Sequence, residues 1–160
     1  MAMIKVGMAD AKVCHAPDAV TTLGLGSCVG VALYDKTKKV SGLVHVMLPD
    51  STRIRQNQNK AKFADTGIDL MIDMMVKEGA NRRGLTAKIA GGAQMFAFSG
   101  NSSMLHVGAQ NVEAVKAKLR ALGIPILAED TGLNYGRTVE FYPENGNFLI
   151  KAVGKPVKTI

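Results

Sequence analysis

The sequence has no tryptophan, few aromatic residues and only two cysteines, and each scarcity narrows the class of protein. Aromatic residues make up 5% of the 160 residues, so the core must be built mainly from aliphatic side chains and the nine methionines. Two cysteines, Cys14 and Cys28, are too few for the disulfide framework of a small secreted domain. We therefore expect a reducing, cytoplasmic environment, in which a cysteine is more often catalytic or buried than cross-linked.

Long apolar runs are also lacking. The apolar stretch at the N-terminus is cut short by Asp10, which is not the pattern of a signal peptide. No segment approaches the ~20 consecutive apolar residues that a membrane-spanning helix needs. We expect a protein that does not insert into a membrane.

Acidic residues are outnumbered, which raises the question of an acidic partner. The chain carries 20 basic and 13 acidic residues, a net charge of +7. The basic residues are scattered along the chain, however, and no RNA-binding motif or zinc-finger spacing accompanies them. We interpret them as solvated surface and expect no nucleic-acid partner.

The organisation of the chain indicates one domain over residues 1–160, without repeats or linkers. Apolar residues recur at helical spacing over 60–78 and over 112–122, and Asn111 is a candidate N-cap of the second helix. The strand-like runs are 20–25, 29–34, 42–48, 87–91, 124–128, 138–142 and 148–153. Two main helices and short turns between strands predict an α+β fold, a single-domain α/β sandwich of mixed or antiparallel sheet layers.

The segment that precedes Cys28 has the composition of a reactive loop. Gly24 and Gly26 permit a tight backbone turn just before the thiol. Successive N–H groups in such a turn can bind an anion, as an acyl-transfer site requires for its oxyanion. Gly26 and Ser27 are therefore the candidate oxyanion or substrate loop.

A hairpin between the runs 29–34 and 42–48 would bring Cys28 close to His45. If the polar turn is centred between Lys36 and Thr37, the antiparallel register places Cys28 directly opposite His45. The Cβ atoms of such a pair are roughly 4.5–5.5 Å apart. A slip of one residue would place the two side chains on opposite faces, so the prediction depends on register.

A thiol beside an imidazole suggests a cysteine hydrolase. An adjacent imidazole can remove the thiol proton, and the sulfur can then attack a carboxamide carbon and form a thioester. A third group usually orients the imidazole, and Thr21 and Thr22 are the nearby hydroxyl candidates.

Simpler interpretations of both residues stay open. A cysteine at the start of a strand is more often a small buried hydrophobe, and a histidine on a strand is more often a core residue with satisfied hydrogen bonds. Zinc held by these two residues together with Cys14 and His15 is a third interpretation. Because Cys14 and His15 are adjacent and no C-x-x-C spacing is present, we expect no metal.

Three other features have two interpretations each. The glycine-rich segment 91–94 either lines a cleft or only ends a strand, and the polar loop 131–137 either contacts a ligand or only joins two strands. His106 is assigned to a structural or surface role.

Beyond these arguments, several runs of the sequence resemble a known family. The runs are LGLGSCVGVALYD (23–35), GLVHVMLPD (42–50), KIAGGAQMF (88–96), VGAQNVEAVKAKL (107–119) and GIPILAEDTGLNYGRTVEF (123–141). Together they resemble the CheD family, the chemoreceptor glutamine deamidases of bacterial and archaeal chemotaxis. The resemblance implies that Cys28 is the nucleophile, that His45 is its base and that Thr22 supports the histidine. It also implies an α/β sandwich similar to the catalytic domain of the cytotoxic necrotizing toxins, and no cofactor.

The same resemblance implies an activity and partners. Members hydrolyse selected glutamines on the cytoplasmic domains of chemoreceptors to glutamates, and bind the phosphatase CheC where that partner exists. A non-enzymatic docking module for such a phosphatase or receptor is the alternative function. Leu133 departs from the family pattern, which often has glycine there, so no role is assigned to it.

Overall fold

The computed structural model describes residues 1–95 and 106–160, which form ten strands and two α-helices. The strands are β1 (Met3–Val6), β2 (Ala11–His15), β3 (Ala19–Leu25), β4 (Val29–Asp35), β5 (Val40–Val46), β6 (Leu85–Gly91), β7 (Ile126–Thr131), β8 (Arg137–Tyr142), β9 (Asn147–Lys151) and β10 (Lys158–Thr159). The helices are α1 (Ala64–Lys77) and α2 (Val107–Ala121), and three short 3₁₀ turns cover Ser51–Arg53, Lys60–Lys62 and Arg82–Gly84. No helix within the described residues is long and apolar enough to span a membrane.

The strands form two five-stranded sheets. The first sheet has the order β1-β3-β8-β9-β10, and the second has the order β2-β5-β4-β6-β7. The pairs β1–β3 and β6–β7 are parallel and the other pairs are antiparallel, so both sheets are mixed. This architecture confirms the predicted α+β sandwich with two main helices.

The second sheet lies in the middle of the molecule. Every residue of its strands β4 and β5 is buried, so both of its faces are covered. On one face Val31 and Val44 pack in a cluster with Met71 of α1 and Val115 of α2. On the other face Leu43 packs with the first sheet, in a cluster that also contains Cys28. The order of layers is therefore helices, second sheet, first sheet.

The predicted hairpin is present, but its register differs by two residues. Val29 pairs with Val46 and Gly30 pairs with His45, so Cys28 is not directly opposite His45 as predicted. The turn is centred later because the Asp35 carboxylate accepts hydrogen bonds from the Thr37 and Lys38 backbone N–H groups. A shift of two residues keeps side chains on the same face, so the predicted common face survives the error.

Several predicted boundaries were also wrong. Residues 60–62 form a separate 3₁₀ turn before α1, because Phe63 between them is extended. Helix α2 begins at Val107 rather than at the predicted residue 112, and Asn111 lies inside the helix rather than at its N-cap. The early start depends on Gly108, where a Cβ would collide with the carbonyl oxygens of Gly92 and Ala93. The predicted strand 124–128 is observed later, as β7, and the short strands β1, β2 and β10 were not predicted.

Candidate active site

Thr22 and His45 meet between the two sheets. The Thr22 Oγ1 of β3 lies 2.7 Å from the His45 Nδ1 of β5. Both residues are fully buried. The contact therefore joins the first sheet to the second through a hydroxyl and an imidazole.

The Thr22 hydroxyl fixes which nitrogen of His45 carries the proton. The Oγ1–H of Thr22 donates to the backbone carbonyl of Val6 at 2.7 Å, and that carbonyl can only accept. Because a hydroxyl has one proton, Oγ1 must accept its second hydrogen bond from His45 Nδ1–H. In the neutral ring the other nitrogen, Nε2, then holds the lone pair and is the basic position.

The surroundings of His45 favour its neutral form. Burial lowers the pKa of the imidazole, because the charged form would lose its hydration. The Nε2 atom is buried and makes no hydrogen bond with any residue that the structure describes. A buried ring with one nitrogen held and the other open has the arrangement expected of a general base.

Cys28 lies on the bend between β3 and β4, close to this ring. It stands two residues before Gly30, the strand partner of His45, so the two side chains are diagonal neighbours on the inter-sheet face. Diagonal positions are roughly 7–8 Å apart. Cys28 is 8% exposed, which leaves it at the edge of the core. Burial raises its pKa, and a hydrogen bond from its own backbone N–H partly opposes that shift.

The glycines at the end of β6 hold the bend that carries Cys28. The Gly92 N–H donates to the Cys28 carbonyl and the Ala93 N–H donates to the Gly26 carbonyl, each at 2.8 Å. Gly91 has a φ of 111°, and a Cβ there would collide with the Cys28 carbonyl oxygen. Segment 91–94 therefore both ends a strand and supports the candidate site.

The predicted oxyanion residues, Gly26 and Ser27, adjoin the thiol. The Gly26 N–H already donates to the Gly24 carbonyl at 3.0 Å, which engages that donor within the turn. Ser27 is therefore the better-placed member of the pair. The Met95 side chain packs over Gly26, with its Cγ 3.3 Å from the position that a Cβ would take.

Asn111 is a site residue that sequence reasoning assigned to a helix cap instead. Its side-chain NH₂ donates to the carbonyls of Ser27, at 2.9 Å, and of Met47, at 3.0 Å. The side chain is fully buried, although Asn111 stands in the interior of α2. A polar residue at a core-facing helical position was the available signal, because Asn111 stands one turn before Val115 on the face of the apolar stripe of Val112, Val115 and Leu119.

The structure separates Cys14 and His15 from this arrangement. The Cys14 sulfur lies 3.3 Å from the Ser41 Oγ and 3.6 Å from the Asp18 carbonyl oxygen. His15 points the other way, to the surface, where its ring is 3.5 Å from Glu78. His106 is exposed, just before α2.

The loop 131–137 lies beside the segment that supports Cys28. The Gln94 N–H donates to the Leu133 carbonyl at 2.9 Å, and the buried Arg137 guanidinium donates to the Gly132 carbonyl at 3.0 Å. Leu133 is exposed and has a φ of 62°, a conformation that favours glycine. The loop is therefore both a connection between β7 and β8 and a neighbour of the site.

Comparison with known proteins identifies relatives along the whole chain. The family model described as "CheD chemotactic sensory transduction" matches residues 47–152. A "Probable chemoreceptor glutamine deamidase CheD" of Lachnoclostridium phytofermentans is 68% identical over 99% of this chain and 98% of its own length. The "Chemoreceptor glutamine deamidase CheD" of Halalkalibacterium halodurans is 53% identical over 99% of this chain and 98% of its own. The protein of that name from Bacillus subtilis is 48% identical, over 99% and 96%.

A solved structure, that of the Bacillus licheniformis hypothetical protein YfiH, shows a partial likeness. It matches 78% of this chain with a TM-score of 0.49 and 18% identity, and this chain covers 51% of it.

Proposed function

Because this chain belongs to the CheD family, we propose that it is a chemoreceptor glutamine deamidase in which Cys28 is the nucleophile, His45 the base and Thr22 the residue that orients the base. The observation that carries the assignment of residues is the His45 ring, held at Nδ1 by Thr22 and open at Nε2 on the face shared with Cys28. Most buried side-chain nitrogens in proteins have a hydrogen-bond partner, so the open Nε2 supports a functional role.

The first half of the reaction forms a thioester. The shifted pKa values favour a neutral thiol and a neutral imidazole at rest, so the sulfur gives its proton to His45 Nε2 as it attacks the glutamine carboxamide carbon. The developing oxyanion faces the bend, where we assign the Ser27 N–H as its donor. The His45 imidazolium then protonates the departing nitrogen, the C–N bond breaks and ammonia leaves.

The second half releases glutamate. His45, neutral again, takes a proton from water at Nε2 while the water oxygen attacks the thioester carbon. The C–S bond then breaks, and the imidazolium returns its proton to the Cys28 sulfur. All proton transfers use His45 Nε2, and the Thr22 contact keeps that nitrogen in position throughout. None of these steps needs a cofactor.

The proposal extends to compartment and partners. Its substrates are glutamine side chains on the cytoplasmic domains of chemoreceptors, so the protein acts in the cytoplasm. Where a CheC-type phosphatase exists, we propose that it binds this protein as well. Docking without chemistry is the competing function, and only the reaction products distinguish the two.

The chain supplies a matched pair of variants for the test. Both cysteines are buried in the inter-sheet layer, but Cys14 lies opposite Ser41 of β5, whereas Cys28 lies two residues from Gly30, the strand partner of His45. We expect Cys28→Ala to reduce ammonia release and the Gln-to-Glu mass change on a receptor cytoplasmic domain to background, and Cys14→Ala to retain both. Retention of deamidation by Cys28→Ala would show that the nucleophile is assigned wrongly. Receptor binding by wild type without any deamidation would favour the docking module.

A further inference from the structure

The β4–β5 ladder stops just before it reaches Cys28. The last strand pair is Val29 with Val46, and one step further the register would place Cys28 opposite Met47. Beyond it the chain leaves the ladder: the consecutive N–H groups of Met47 and Leu48 both donate to the Lys62 carbonyl, at 2.8 and 3.0 Å, whereas in a continued strand they would point in opposite directions. The segments that carry the thiol and the imidazole therefore diverge at the site itself, where strand pairing no longer fixes their separation.

Asn111 bridges the two diverging segments. Its single side-chain nitrogen donates to the Ser27 carbonyl on the thiol side and to the Met47 carbonyl on the imidazole side. Ser27 immediately precedes Cys28, and Met47 follows His45 by two residues. One amide group thus replaces the missing pair of the ladder.

Helix α2 is built to bring this amide to the gap. Gly108, one turn before Asn111, lets the helix touch the carbonyls of Gly92 and Ala93, which themselves support the Cys28 bend. An asparagine in a helix interior lowers helix stability relative to alanine. The Asn111 Oδ1 is also buried without a hydrogen-bond partner among the described residues, which an apolar side chain would avoid. These are disadvantages for stability that the two bonds to the site compensate.

We propose that Asn111 is a positioning residue that sets the distance between Cys28 and His45 by tying together the segments on which they stand. This inference rests on the deamidase function proposed above. A primary amide suits the role, because one uncharged nitrogen supplies two donors to two carbonyls. An aspartate would turn acceptor oxygens towards both carbonyls, and a leucine would have no donor.

The test compares substitutions at neighbouring positions of α2. Asn111→Leu keeps the branching at Cγ and the number of side-chain heavy atoms but removes both donors, whereas Asn111→Ser leaves one hydroxyl that is too short to reach both carbonyls. Val115→Ala, one turn further along the buried stripe, destabilises the same helix, and the valine side chain that it truncates has no hydrogen-bonding group for either segment. Each variant is assayed with the receptor domain at a temperature where its circular dichroism shows a folded protein.

We expect both Asn111 variants to lower kcat about 10- to 100-fold with little change in KM, the penalty of a misplaced reacting group. Val115→Ala should lower the melting temperature and leave kcat near that of wild type. Wild-type kcat in Asn111→Leu, or an equal loss of kcat in Val115→Ala, would overturn the inference while leaving the proposed function intact. An inactive wild type would instead overturn the proposed function.

A measurement on the wild-type protein covers the case in which neither Asn111 variant folds. If the amide bridges the two carbonyls, the two Nδ2 protons of Asn111 should exchange slowly with solvent in NMR spectra. Rapid exchange of either proton would contradict the bridge.

Discussion

The layer between the two sheets contains two buried polar pairs that differ in one respect. Cys14 of β2 lies opposite Ser41 of β5, and Thr22 of β3 contacts His45 of the same β5 strand. Each pair includes one titratable group. Burial raises the pKa of Cys14 and lowers that of His45, and both shifts favour the neutral form. The Cys14 sulfur has two partners, Ser41 and the Asp18 carbonyl, whereas His45 Nε2 has none in the part of the chain that the structure describes.

We propose that this difference separates a structural polar pair from a functional one. A polar group inside a protein is stable only when its hydrogen bonds are made, so a complete set explains the presence of Cys14 and Ser41. An open nitrogen in the same layer has no such explanation from stability alone. It indicates that a substrate, a water molecule or the Cys28 thiol completes the set during the reaction.

Substitution of Thr22 should produce the largest difference between the two pairs. Thr22→Val removes the acceptor for His45 Nδ1–H, which frees the ring to rotate or change tautomer. We expect kcat to fall about 100-fold, within the range of general acid–base contributions. Thr22→Ser, which keeps the hydroxyl, should recover most of the activity. Steady-state deamidation kinetics measure both, and an active Thr22→Val would mean that His45 is oriented by something else.

How much of the candidate site could be predicted from the sequence depends on whether a contact is local or joins distant segments of the chain. The sequence predicts Cys28 and His45 on one face because a hairpin is a local structure. Its side chains alternate strictly between the two faces of the sheet, so a shift of two residues leaves each on its face. Its register was missed by two residues because the turn centre depends on the Asp35 carboxylate, whose bonds to the turn are not visible in hydrophobic patterns.

Contacts between distant segments could not be predicted in the same way. The acceptor for Thr22 is the Val6 carbonyl on β1, a four-residue strand that pairs in parallel with β3. Such a short strand carries almost no periodicity of its own. Asn111 was assigned to a helix cap because asparagine favours caps, and only the packing of α2 against the Cys28 bend reveals its two carbonyl partners.

The pH dependence tests whether the open nitrogen behaves as a buried base. A lowered pKa means that His45 stays neutral as the pH falls through its ordinary value of about 6.5. We therefore expect kcat/KM to remain level through that pH and to decline only below it. The raised pKa of Cys28 means that the rate of alkylation by iodoacetamide should still be rising with pH at about pH 8.5, where an ordinary thiol begins to level off.

The alkylation experiment is best made on Cys14→Ala, which leaves Cys28 as the single thiol of the chain. A plateau of rapid alkylation at pH 6 to 7 would indicate a preformed thiolate–imidazolium pair. Cys28 and His45 would then form an ion pair at rest, and attack by the sulfur would not need proton transfer to His45 in the same step.

The smallest effect on activity is expected at the Cys14–Ser41 pair, in which the sulfur has both of its hydrogen-bond partners. The Cys14 thiol donates its one proton to the Asp18 carbonyl, so the Ser41 hydroxyl donates to the sulfur, a weak acceptor. Ser41→Ala removes that bond and should lower the free energy of unfolding by about 1 kcal/mol, as measured by denaturant titration. Its kcat should equal that of wild type, because Ser41 and His45 share a strand but no hydrogen bond. A loss of kcat as large as in Thr22→Val would mean that the whole inter-sheet layer acts as one unit, and that an open nitrogen does not distinguish the two pairs.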